Sequence, residues 1–165
     1  MKKNLFTTMI LCSFIAFASF MTHSPLNAEV PYPEGFRNWM HVKSMVITSK
    51  DPKADHNRGY HHIYANALAM DGYKTGKYAN GSIIVADFIE MIEKDGNILE
   101  GKRKFINVMV KDSEKYKTTG GWGYEEFDGD SKTLRTVTPA NAAAKCYNCH
   151  TSQLQKDHVF SSLRD

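Results

Sequence analysis

The run Ser82-Ile83-Ile84-Val85-Ala86-Asp87-Phe88-Ile89-Glu90-Met91-Ile92-Glu93 is rich in isoleucine, valine and phenylalanine and reads as a strand. Asp95-Gly96 follows it, and Lys104 to Lys111 is a second such run, with Phe105, Ile106, Val108, Met109 and Val110. Two apolar runs around a glycine-containing turn make an antiparallel hairpin.

Toward the N-terminus, Asn80-Gly81 is a tight turn into the hairpin, and Asn66 caps a short helix, Ala67-Leu68-Ala69-Met70, that ends around Gly72 or Gly76. Gly59 to Ala65 and His41 to Thr48 read as strands joined by a polar loop, Asp51 to Arg58. Before them Pro31, Pro33 and Gly35 form a loop, and Phe36 to Met40 a short helical turn whose Trp39 belongs to the core. Toward the C-terminus, Gly120 to Phe127 is one more strand, its glycines allowing a bulge or a close approach to something flat. A polar loop, Asp128 to Thr138, leads to a helix that starts at Pro139, runs through alanines and carries Cys146, Cys149 and His150 on its last turns. The order predicts an α+β domain: an antiparallel sheet packed with a few helices, the C-terminal one bearing the cysteine motif.

Residues 1–28 read as a secretory signal. Lys2 and Lys3 precede an apolar run from Leu5 to Phe20, and small or polar residues lead to a cleavage point near Ala28. The run counts 16 residues and is broken by Thr7, Thr8 and Ser13, which is short of the roughly 20 that a spanning helix needs. Residues 29–165 then form a single domain. Two of the 21 basic residues leave with the signal and the rest nearly balance 18 acidic ones, which gives no case for nucleic acid or an anionic surface.

Cys12 lies in the signal, so the mature chain keeps Cys146-Tyr147-Asn148-Cys149-His150. Two thiols at i and i+3 on one helix face can each bond a vinyl group of a haem, with the next histidine placed under the iron. The same spacing serves a zinc site, which would need further ligands such as His158 and has no second Cys-x-x-Cys. It also serves a redox dithiol, although the pair follows the sheet and does not sit in an early βαβ unit. A plain disulfide would be strained.

The chain resembles the cytochrome P-460 family, including its cytochrome c′-beta relatives. The resemblance rests on Tyr32-Pro33-Glu34-Gly35-Phe36-Arg37-Asn38-Trp39, His62-Ile63-Tyr64-Ala65-Asn66, Lys74-Thr75-Gly76 and Asn80-Gly81-Ser82. It continues through Val108-Met109-Val110-Lys111-Asp112-Ser113, Gly121-Trp122-Gly123-Tyr124-Glu125, the cysteine motif and Asp157-His158-Val159-Phe160. The resemblance implies a homodimer holding one covalent haem c through Cys146 and Cys149, five-coordinate through His150, with an open distal face. Together with the signal, it implies a periplasmic or otherwise exported cytochrome that binds nitric oxide or hydroxylamine and passes electrons to a redox partner protein. Whether the bound species is turned over stays open, and a six-coordinate electron-transfer cytochrome is the alternative.

Two departures stand out. The family's oxidases bond a lysine to the porphyrin edge five residues beyond the turn glycine, where this chain has Ala86, and Lys74 and Lys77 precede the turn. Their distal arginine, three residues before the tyrosine matching Tyr64, is replaced by His61. Neighbouring strand residues point to opposite faces, so only one of His61 and His62 can face the pocket. If His61 does, it ligates iron, donates a hydrogen bond to a bound ligand or, more simply, is a hydrogen-bonded core residue. Phe88, Phe105, Trp122, Tyr124 and Phe127 are read as core, Glu125 and Glu126 as solvated before proton donors, and Met40, Met45, Met70, Met91 and Met109 as gap fillers before a sixth ligand.

Overall fold

A computed structural model describes residues 29–164; the expected signal lies outside them. Five strands form one antiparallel sheet in chain order: β1 (Met40–Ile47), β2 (Gly59–Ala65), β3 (Ile83–Lys94), β4 (Asn97–Lys111) and β5 (Trp122–Asp128). Helix α1 (Ala67–Thr75) joins β2 to β3, and a C-terminal helical segment carries the cysteine motif. The α+β expectation holds.

Asn66 organises the β2–α1–β3 connection. Its side-chain oxygen accepts from Ala69 N at 2.9 Å and from Ile83 N at 3.1 Å, and its amide donates to the Gly81 carbonyl at 2.9 Å. The helix runs through Gly72, which lies beneath the Tyr78 ring, and stops at Gly76 (φ 74°). β4 begins at Asn97, well before the expected Lys104. Asp95 and Gly96 both have positive φ (51° and 74°), the two-residue turn whose twist matches the strands, so pairing resumes at once between Lys94 and Asn97.

The C-terminal helix starts later than expected. Thr138 N donates to Asn141 Oδ1 at 2.9 Å while Ala142 N donates to the Thr138 carbonyl at 2.9 Å, which holds Pro139–Asn141 in a turn. Helical backbone then continues as a π-helical stretch (Ala143–Tyr147), one α-turn (Asn148–His150) and 3-10 turns (Thr151–Lys156). The expected close approach at a strand glycine is real at Gly123, where a Cβ would lie 2.4 Å from the Tyr116 ring.

Strand alternation divides the core between the two faces of the sheet. On one, Val30 and Phe36 pack with Val85, Ile106, Val108, Tyr116 and Phe127, and Trp39 packs against them. On the other, Val42, Ile63, Ile84, Met109, Trp122 and Tyr124 face Ala69, Tyr78, Ala142 and Val159.

Candidate functional site

Between the second face and the C-terminal segment lies a cavity of about 550 Å³. All five strands line it: Met45 and Ile47, His61 and Ile63, Ile84, Ala86 and Phe88, Asn107 and Met109, then Tyr124. Cys146, His150, Val159, Phe160 and Ser161 close it from the C-terminal side. The wall is largely apolar, in the size range of sites for small molecules and cofactors.

Cys146 lines the cavity, Cys149 is exposed, and the two thiols are free, so the disulfide reading is not followed. Burial pushes the Cys146 thiol up to about 11. The zinc reading finds no support either: among the described residues no three His, Cys, Asp or Glu gather in a metal-holding arrangement.

His150 lies 2.7 Å through Nδ1 from the His158 carbonyl. A carbonyl only accepts, so Nδ1 carries the proton and Nε2 keeps the lone pair. Burial lowers the His150 pKa, which favours this neutral form. Tyr124 and Phe160 hold the ring, with centroids 5.0 and 4.9 Å away.

The position of the His158 carbonyl is set by Asp157, a residue that the sequence reading gave no role of its own. Asp157 and His158 both have positive φ (50° and 67°). Asp157 Oδ1 accepts from Lys111 Nζ at 2.7 Å, Oδ2 from Tyr78 N at 3.2 Å, and its carbonyl from Trp122 Nε1 at 2.8 Å. Adjacent non-glycine residues in a left-handed conformation would have been the clue, and φ is not visible in residue types.

Of the two strand histidines, His61 faces the cavity and His62 the other side. His61 Nε2 lies 2.5 Å from the Asn57 carbonyl and its ring rests 4.0 Å from Phe88. The hydrogen-bonded core reading is therefore the observed one, and it corrects the donor role: the N–H is already committed, which leaves Nδ1 as an acceptor. Burial lowers the His61 pKa and favours the neutral ring.

Ala86 faces the cavity. Of the aromatics, Phe88 and Tyr124 line the wall, Phe105 stacks behind Phe88 at 4.3 Å, and Phe127 packs on the opposite face. Met45 and Met109 reach the cavity, whereas Met40 is exposed and fills nothing. Glu125 and Glu126 are both buried, against expectation. Glu125 Oε2 takes Arg135 Nη1 at 2.7 Å, and Glu126 meets Thr136 and His56, so ion pairs and hydrogen bonds replace the expected water.

Asn107 Oδ1 and Tyr124 OH are buried without a hydrogen-bond partner, and both residues line the cavity. Polar atoms of this kind are normally satisfied. Together with an apolar space of this size, a lone-pair imidazole nitrogen and the Cys146 thiol on its wall, they suit a haem. Fold and site thus suit a haem protein.

The family model of Cytochrome P460 matches residues 33–161, and the chain belongs to that family. No curated protein matches the chain.

Proposed function

We propose that the chain is an exported c-type cytochrome with a single haem bonded to Cys146 and Cys149, His150 being the proximal ligand, and that it binds a small nitrogen species, nitric oxide or hydroxylamine. The observation that carries this reading is the apolar cavity of about 550 Å³ bounded by Cys146 and His150. Bound there, haem would supply an iron that takes a small ligand and a one-electron couple.

The chain's own part is to hold and insulate. The His158 carbonyl keeps the His150 proton on Nδ1, and Lys111 and Trp122 keep that carbonyl in place through Asp157. Ile63, Phe88 and Met109 shield the space from water. His61, neutral and tied to Asn57, offers Nδ1 as an acceptor to a ligand carrying N–H or O–H. Ala86 offers no amine for a porphyrin cross-link, which favours binding of hydroxylamine over its oxidation. A redox partner protein, a homodimeric state and a periplasmic location are part of the same proposal.

A second reading rests on Met45 and Met109, whose side chains also line the cavity and whose thioethers could complete a six-coordinate electron carrier. The ferrous absorption spectrum with and without nitric oxide separates the two. The expected result is a high-spin spectrum that shifts on adding the gas; a low-spin spectrum indifferent to it overturns the first reading.

A further inference from the structure

The face of the sheet away from the cavity carries a constellation that haem binding does not use. His41 Nε2 lies 2.9 Å from Ser44 Oγ, which lies 2.7 Å from His62 Nδ1; His62 Nε2 lies 2.6 Å from Glu100 Oε1. Residues three apart on a regular strand point to opposite faces. Here the β1 register shifts between His41 and Lys43, and the bulge brings His41, opposite Tyr64, and Ser44, opposite His62, onto one face.

The chemistry fixes the proton positions. A carboxylate only accepts, so His62 Nε2 donates to Glu100, and in the neutral ring Nδ1 is the bare nitrogen. The Ser44 hydroxyl then donates to His62 Nδ1 and accepts from His41 Nε2–H. Two imidazole nitrogens thus converge on one oxygen, with ring centroids 6.2 Å apart. A metal ion bound at its usual distance to two imidazoles holds their centroids on the order of 5–6 Å apart. His41 and Ser44 are exposed, so an ion can reach the point of convergence.

We propose that His41 and His62 form a two-nitrogen site for a divalent transition-metal ion of the zinc or copper class, with Glu100 as the outer carboxylate that fixes the His62 tautomer. The ion takes the place of the Ser44 hydroxyl as the shared partner, His41 moves its proton to Nδ1, and water completes the shell. Because no three His, Cys, Asp or Glu among the described residues form a closed ligand set, the site is open and its affinity modest. A nucleophilic serine is the competing use of these atoms. It is disfavoured because the N–H that Ser44 Oγ accepts from His41 withdraws electron density from the oxygen and lowers its nucleophilicity.

The test is calorimetric titration of the haem-loaded full chain with zinc(II), alongside paramagnetic resonance of the copper(II) form. One ion should bind per chain, and copper should show hyperfine coupling to two imidazole nitrogens. His41→Ala/His62→Ala should weaken binding at least about tenfold and Glu100→Gln about tenfold, in line with the usual weight of an outer carboxylate. Ser44→Ala, which breaks the hydrogen-bond chain but keeps both rings, should stay within about threefold of the parent, since the hydroxyl is no ligand. An unchanged haem spectrum in each variant reports an intact fold. Equal affinity in the double variant and the parent, or a loss in Ser44→Ala as large as in the double variant, overturns the proposal.

Discussion

On one face of the sheet the N-terminal segment lays Val30 and Phe36 over Val85, Ile106 and Phe127, and the fully buried Asp87 carboxylate is taken by Arg37 and Arg103. On the other, Ile63, Ala86 and Phe88 look across a gap of about 550 Å³ toward Cys146 and His150. The first face is filled by the chain itself, apart from a Tyr116 hydroxyl without a partner. The second has an apolar-walled cavity and, among the described residues, two buried polar atoms, Asn107 Oδ1 and Tyr124 OH, without hydrogen-bond partners. An apolar-walled space with spare polar atoms suits an occupant, since dispersion contacts and hydrogen bonds made there would add stability.

The hardest test of this contrast removes the occupant's anchors. Cys146→Ser/Cys149→Ser is expected to abolish covalent haem entirely, seen as loss of haem staining on a denaturing gel. The melting temperature of this variant should then rise with added free haem, because the cavity still favours it. Staining that survives the double change removes the thioether assignment.

The closed face should respond in the opposite way. Asp87 accepts from Arg37 at 3.0 and 2.6 Å and from Arg103 at 2.7 and 3.2 Å. Asp87→Ala leaves two guanidinium groups without their carboxylate and should cost about 3 kcal/mol, the lower end for a broken buried pair because Arg37 is half exposed. Denaturant unfolding measures the loss, and the haem spectrum should not move. A spectral change as large as the stability change would mean that the faces are not independent.

Gly120 tests the seam between them at lower cost. Its φ is +67°, and a Cβ there would sit 2.5 Å from His158 Nε2 and 3.1 Å from the Tyr147 ring. Gly120→Ala is expected to cost about 1–3 kcal/mol, the scale of a strained left-handed alanine. It should also displace His158, whose carbonyl orients His150, so the axial-ligand region of the spectrum should shift. A stability loss with an unaltered spectrum would show that the His158 carbonyl does not depend on its side chain.

The contrast also explains what the sequence could reveal. Period-two alternation along β2 and β3 was readable, and it placed one of His61 and His62 toward the pocket without saying which. The Asn66 cap and the Asp95-Gly96 turn were readable because each uses a residue type for a local geometric reason. The length of β4 was not, since Asn97 to Arg103 carries polar and exposed residues that pair only with the other arm of the hairpin. Glu125 and Glu126 were misjudged as solvated because their partners, Arg135 and Thr136, lie beyond a loop that sequence alone does not fold back. The cysteine motif is visible as a local pattern; the Lys111–Asp157 contact beside His158 is not, because it joins groups distant in sequence.

The smallest expected effect asks whether the closed face is held by charge or in spite of it. Glu125 Oε2 accepts from Arg135 at 2.7 Å, and Oε1 accepts from Glu126 N at 3.1 Å. Burial nevertheless pushes the Glu125 carboxyl above the ordinary glutamate range, with Arg135 and the Glu126 N–H only partly opposing it. A folded pKa above the unfolded one means that the fold favours the protonated acid. Its contribution is therefore full below the unfolded value of about 4.3 and is lost as pH rises through the higher folded value. Glu125→Gln keeps an acceptor for Arg135 and does not titrate, so its stability should fall less than the parent's over that window in denaturant unfolding. If the parent instead gains on the variant as pH rises there, attraction to Arg135 outweighs desolvation, and the closed face owes its completeness to ion pairing as much as to packing.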